Sequence, residues 1–118
     1  MPRATNAPAS RKRRKRILKQ ARGFRGSRSK LIRQATEAVD RSMRLATIHR
    51  KHKKRDFRSL WIARISAAVR QHDMSYSRFI EGLTKGNIKL NRKMLSEIAI
   101  HDPDGFALIV EQARAGRS

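Results

Sequence analysis

Apolar residues recur at helical spacing along most of the chain, and no segment alternates long enough to form a useful strand. From Lys30 onward, Leu31, Ala35, Ala38 or Val39, Ser42 or Met43, and Leu45 or Ala46 draw a narrow apolar stripe along a helix. Arg33 with Glu37, Glu37 with Arg41, and Asp40 with Arg44 stand four apart on it, and each such pair supports a helix by about 0.2–0.5 kcal/mol. Between Ser27 and Asp73 there is neither glycine nor proline, so one long helix, or two with an inconspicuous joint, fills the span. After Arg58 the apolar face thickens with Leu60, Trp61, Ile62, Ile65, Ala68 and Val69, and a folded body is expected to start there.

Downstream, local start and stop signals divide the body. Ser75 is placed to cap a helix carrying Tyr76, Phe79, Ile80 and Leu83, which ends near Gly86 and Asn87. Asn91 caps the next, with Met94, Leu95, Ile98 and Ala99. Asp102 followed by Pro103 starts the last, whose face is Phe106, Ile109, Val110 and Ala113. Ile88 to Leu90 is too short to build a sheet.

Upstream, Arg11 to Arg16 has good helix propensity, opposed by like charges three and four apart until phosphates neutralise them. That helix should close at Gly23, in a break spanning Gly23 to Ser27, with Ser27 or Ser29 capping its successor. Pro2, Thr5, Asn6, Pro8 and Ser10 predict an irregular tip, disordered until it meets a partner. The fold class is therefore all-α. A basic helical extension over residues 1–58, disordered when free, precedes a small globular helical bundle over residues 59–118. A body of about 60 residues has a marginal core, so a partner should add to its stability.

Charge changes the picture more than any motif. The 118 residues carry 30 Lys and Arg against nine Asp and Glu, a formal net charge of +21. Residues 1–72 hold 23 basic residues and three acids (Glu37, Asp40, Asp56), a net of +20, whereas residues 73–118 net only +1. A basic arm on an electrostatically ordinary body needs a polyanion. Aromatics make up only 5%, so phosphate contacts should dominate over base stacking. The arm favours arginine, which can hold a phosphate through two parallel hydrogen bonds. The candidate nucleic-acid contacts are Arg11, Lys12, Arg13, Arg14, Lys15, Arg16, Lys19, Arg22, Arg25, Arg28 and Lys30, then Arg50, Lys51, Lys53, Lys54, Arg55, Arg58 and Arg64. The cations of the second cluster fall all round a helical wheel, a helix for RNA to wrap.

Other chemistry is thin. Cysteine is absent, which removes disulfides, thiolate zinc sites and thiol nucleophiles and suits a reducing compartment. His49 and His52 share a helix face, but the surrounding cations oppose a metal ion, so no metal and no cofactor is assigned. His72 and His101 have no nucleophile or paired carboxylate in a recognisable setting, and an enzyme is not expected. Gly23 to Gly26 lacks the Lys and Ser or Thr of a Walker loop and reads as a bend in the arm. Trp61 is either a core anchor, the favoured reading, or a base-stacking platform beside Arg58 and Arg64. No signal-peptide core and no run of roughly 18–20 apolar residues is present, so neither export nor a membrane is expected.

Two stretches carry a family resemblance. Lys19 to Arg33, with Gly23, Phe24, Gly26, Arg28 and Ser29, is one of them. Arg58 to Gly82 is the more specific, with Phe57 just before it and Leu60, Trp61, Ile62, Ala63, Arg64 and Ile65 running into Ser75, Tyr76, Ser77, Arg78, Phe79 and Ile80. Together with Asn91 to Leu95 and Ile98, they resemble the bacterial large-subunit ribosomal protein twenty family from about Arg11 to the end. The resemblance implies a structural protein of the cytoplasmic ribosome, with an organellar ribosome as the second choice. Its partners would be large-subunit (23S-type) rRNA, bound early in assembly, neighbouring large-subunit proteins and, in some members, the protein's own messenger RNA. The opening residues Ala4 to Pro8 depart from the family's more basic start. A DNA-compacting protein is the rival that charge alone allows equally well.

Overall fold

The computed structural model describes Arg3 and residues 5–117, and every regular element among them is helical. In order these are α1 (Ala7–Gln20), a 3-10 turn (Gly26–Ser29), α2 (Ile32–Arg70), α3 (Tyr76–Lys85), α4 (Arg92–His101) and α5 (Pro103–Ala115). The fold is all-α, a long basic helical extension followed by a small helical bundle. The chain forms two compact units, Met1–Lys51 and His52–Ser118. That division, like the one expected after residue 58, falls inside α2, which is a single helix of 39 residues without a joint.

In the first unit α1 starts at Ala7, so the irregular tip expected as far as Ser10 is shorter than the sequence suggests. Pro8 sits in the first helical turn, where a missing amide costs nothing because those amides have no intrahelical acceptor. Pro8 therefore starts the helix rather than breaking it. The expectation for Met1, Pro2 and Ala4 lies outside the described residues. After α1, Gly23 (φ 85°) and Gly26 (φ 69°) take left-handed conformations that a side chain would strain, although the space around both is open. The Ser29 hydroxyl donates back to the Gly26 carbonyl at 3.0 Å, and α2 begins only at Ile32, beyond both expected caps. Ala21, Ala35 and Val39 are the buried residues here, with Ile17, Leu18 and Phe24 packed around them.

The three ion pairs expected along α2 are absent. Carboxylates are instead paired in the second unit, at Glu81–Lys85, Glu97–His101 and Glu81–Arg117. Surface pairs gain little over hydration, so spacing alone does not close them.

The core of the second unit runs from Ile65 and Val69 of α2 through Met74, Phe79 and Leu83 to Leu95, Phe106, Val110 and Ala113. It begins later than the thickened apolar face implies. Leu60 is 42% exposed and Trp61 only half-buried, so Trp61 is not the expected core anchor. A helix face is buried only where another element covers it, and among the described residues no element covers these turns fully.

α5 packs on both α3 and α4. The rings of Phe79 and Phe106 meet with centroids 5.6 Å apart. All three body caps form as expected: Ser75 accepts from the Arg78 amide at 3.5 Å, Asn91 from Met94 at 2.9 Å, and Asp102 from Gly105 at 2.9 Å. Each is a local exchange worth about 1 kcal/mol, with Pro103 filling the first turn after Asp102. In α4, Leu95 is buried and Met94 is 46% exposed, so only the former belongs to the core.

Glu81 ties α3 to the chain's C-terminal end, receiving Lys85 at 3.0 Å and Arg117 at 3.3 Å. The hydrogen bond and charge of Lys85, then the charge of Arg117, hold its carboxyl below the usual carboxylate range. A lowered carboxylate pKa adds stability above the unfolded-state value, and that contribution disappears as pH falls through the folded-state value. Glu81→Gln should therefore lower the melting temperature slightly at pH 7 and progressively less as pH falls into the acid range, as scanning calorimetry at a series of pH values would show.

Candidate nucleic-acid interface

The chain presents cations on helices that almost nothing else covers. Every residue from Arg11 to Arg16 is exposed, and only Ile17 and Leu18 of α1 turn toward the small cluster around Ala21. This run contains no acid, so its field is of one sign. Lys19, Arg22, Arg25, Arg28 and Lys30 continue the exposed series through the glycine turn.

In α2 every residue from Asp40 to Leu60 is exposed, including Arg50, Lys51, Lys53, Lys54, Arg55 and Arg58. At 100° per residue these six cations span an arc of roughly 200°, not the full circumference that the sequence suggests. The gap contains Asp56 and both His49 and His52. Arg64, immediately before the first core residue Ile65, is the only half-buried member of the expected set.

A broad open groove of about 1170 Å³ lies in the first unit. One wall is Gly23, Phe24, Arg25 and Arg28; the other is the α2 face from Gln34 to His49, including Glu37 and Arg41. The groove therefore gathers Arg25 and Arg28 of the glycine turn and Arg41 of α2 in one lining, together with the small residues Ala38, Ser42 and Ala46. Small lining residues let a backbone or a phosphate approach closely, and several cations in one groove suit a sugar-phosphate chain. No group of three or more His, Asp or Glu able to hold a metal occurs among the described residues.

This geometry, with exposed cations of one sign on helices that little else covers, fits a protein that binds a polyanion, and sequence comparison decides which kind. Residues 3–109 match the family Ribosomal protein L20. The chain belongs to that family. A protein of Chlamydia pneumoniae named large ribosomal subunit protein bL20 is 61% identical over 114 residues, covering 97% of this chain and 94% of the relative. Proteins of the same name from Syntrophotalea carbinolica and Opitutus terrae are 53% and 54% identical, over 98% and 97% of this chain and 98% and 90% of their own lengths.

The basic surface also includes residues that the sequence alone does not single out. Spacing assigns Arg33, Arg41 and Arg44 to ion pairs with Glu37 and Asp40, which do not form, and all three stand exposed on α2. Exposure without a carboxylate partner is the signal that spacing cannot supply. In the second unit Arg78, Arg114 and Arg117 converge with Asp73 and Met74 on an open depression of about 380 Å³, where the Arg114 guanidinium donates to the His72 carbonyl. Only the fold brings these together, because Arg78 and Arg114 belong to α3 and α5.

Proposed function

We propose that this chain is a structural constituent of the large ribosomal subunit that binds its 23S-type rRNA directly and braces packed RNA helices early in subunit assembly. It is a structural protein and not an enzyme. The observation that carries the reading is the uncovered basic stretch of α2, exposed at every position from Asp40 to Leu60 and preceded by the acid-free run Arg11 to Arg16. A helical stretch that buries no side chain within its own chain owes its shape to local hydrogen bonds and its purpose to something outside. Closely spaced phosphates supply the opposite charge, and counterions released from RNA supply the driving force.

The contacts are Arg11 to Arg16, Lys19, Arg22, Arg25, Arg28, Lys30, the cluster from Arg50 to Arg58, and Arg64, with Arg41 joining them across the groove. Neighbouring large-subunit proteins would meet the exposed apolar positions of the second unit, such as Ile100 and Leu108, in the cytoplasmic ribosome. No helix of the described residues is long and apolar enough to cross a membrane.

The test is a titration of large-subunit rRNA fragments at several salt concentrations. With six or more phosphates neutralised, affinity should fall by about a thousandfold or more between 50 and 200 mM salt. A flat dependence would remove the phosphate mechanism. Equal affinity for folded rRNA and duplex DNA at matched ionic strength would favour a DNA-compacting protein instead.

A further inference from the structure

Phe57 and Trp61 do not fit the phosphate account. Phe57 is 46% exposed and Trp61 half-buried, and neither belongs to the core of the second unit. Their rings stand next to one another, with centroids 6.2 Å apart and planes tilted by 48°. Large aromatic surface left in water is unfavourable unless something covers it, and no described residue covers it fully. The basic residues around them identify the cover. At 100° per residue, Lys53, Lys54, Arg58 and Arg64 fall with the two rings inside an arc of roughly 140°, and Asp56 falls outside it. An apolar partner protein would have to desolvate four cations to reach the rings, whereas a nucleotide presents a flat base to the rings and phosphates to the cations.

We infer that Phe57 and Trp61 form a stacking platform for an unpaired RNA base, with Lys53, Lys54, Arg58 and Arg64 holding the phosphates on either side of it. The inference rests on the RNA-binding reading and names the kind of RNA that this part of α2 engages: a bulge or internal loop, not an uninterrupted duplex. A base sandwiched between two rings needs them parallel, and a tilt of 48° excludes that arrangement. The base lies on the open face of Phe57, with Trp61 as a side wall. Ring faces carry no donor and acceptor code, so the platform takes any base.

Trp61 is the sole tryptophan, so its emission reports on this site alone. The full chain is titrated with two synthetic RNAs of equal length, a perfect duplex and the same duplex with one unpaired nucleotide, using the wild type, Phe57→Leu and Phe57→Tyr. The wild type should bind the bulged RNA about tenfold more tightly, with Trp61 emission quenched by that RNA only. Phe57→Leu should abolish the preference without changing the salt dependence, and Phe57→Tyr should keep it. Three results would overturn the inference: a preference that survives Phe57→Leu, an equal loss of affinity for both RNAs, or quenching that appears only when other large-subunit proteins are added. A salt-independent wild type would instead sink the underlying RNA-binding reading, so the two failures are distinguishable.

Discussion

Gly82→Ala should lower the melting temperature of the full chain by several degrees and up to about 15 °C, read from the helical signal in circular dichroism. A Cβ at position 82 would lie far inside van der Waals range of the Ala113 backbone carbonyl, an overlap that no rotamer change can relieve because both atoms belong to backbone or its first branch. Alanine in a helix interior gains about 1 kcal/mol over glycine. Forcing extra volume into a close-packed crossing costs about 1–3 kcal/mol or more, and here the struck atom is main chain, so the clash wins. In a body of this size each kcal/mol is worth about 4–8 °C. Separating α3 from α5 would also open the layer around Phe79 and Phe106. Gly86→Ala is the control: its Cβ would lie 3.1 Å from the Gly82 carbonyl, which a small shift accommodates. An unchanged melting temperature for Gly82→Ala would mean that α3 and α5 do not cross so closely.

Replacing all six cations from Arg11 to Arg16 by glutamine should reduce the slope of log affinity against log salt, for large-subunit rRNA, by roughly 4–5. That follows from a slope of about 0.7–0.9 for each phosphate that is no longer neutralised. Glutamine is nearly as good a helix former as arginine or lysine, so α1 is retained and the change reads charge rather than structure. At low salt the affinity should drop by several orders of magnitude. A slope that does not move would show that this run faces solvent in the complex.

Much of the body is legible in the sequence because its signals are local. Ser75, Asn91 and Asp102 each reach an amide three residues on, and Gly23 and Gly26 do take the backbone conformations that suit glycine, so a window of four or five residues contains the cause. Long-range facts are not legible. Nothing near Gly82 in sequence announces that Ala113 will sit against it. Trp61 and Leu60 have the texture of a core, but periodicity identifies a face without saying whether anything covers it, and the true core begins at Ile65. Pro8 misleads because proline breaks a helix in its interior and favours its first turn, and only the helix start distinguishes the two. At the candidate site, the charged runs are visible as runs. The presence of Arg41 with Arg25 and Arg28 in one groove, and the convergence of Arg78, Arg114 and Arg117, depend on turns and packing that charge does not encode.

The cluster that joins α1 to α2 has Ala21, Ala35 and Val39, three of the smaller apolar side chains, at its buried centre, with Ile17, Leu18 and Phe24 only partly buried around them. With only three residues buried there, bending this elbow demands less work than a polyanion releases on capture. On the proposed RNA-binding reading, the nucleic acid then dictates the angle at the elbow, as clay takes the shape of a mould, while the bundle beyond Ile65 keeps its own form. A chain made this way can enter crevices that close around it during particle maturation, which a stiff block of equal charge could not do.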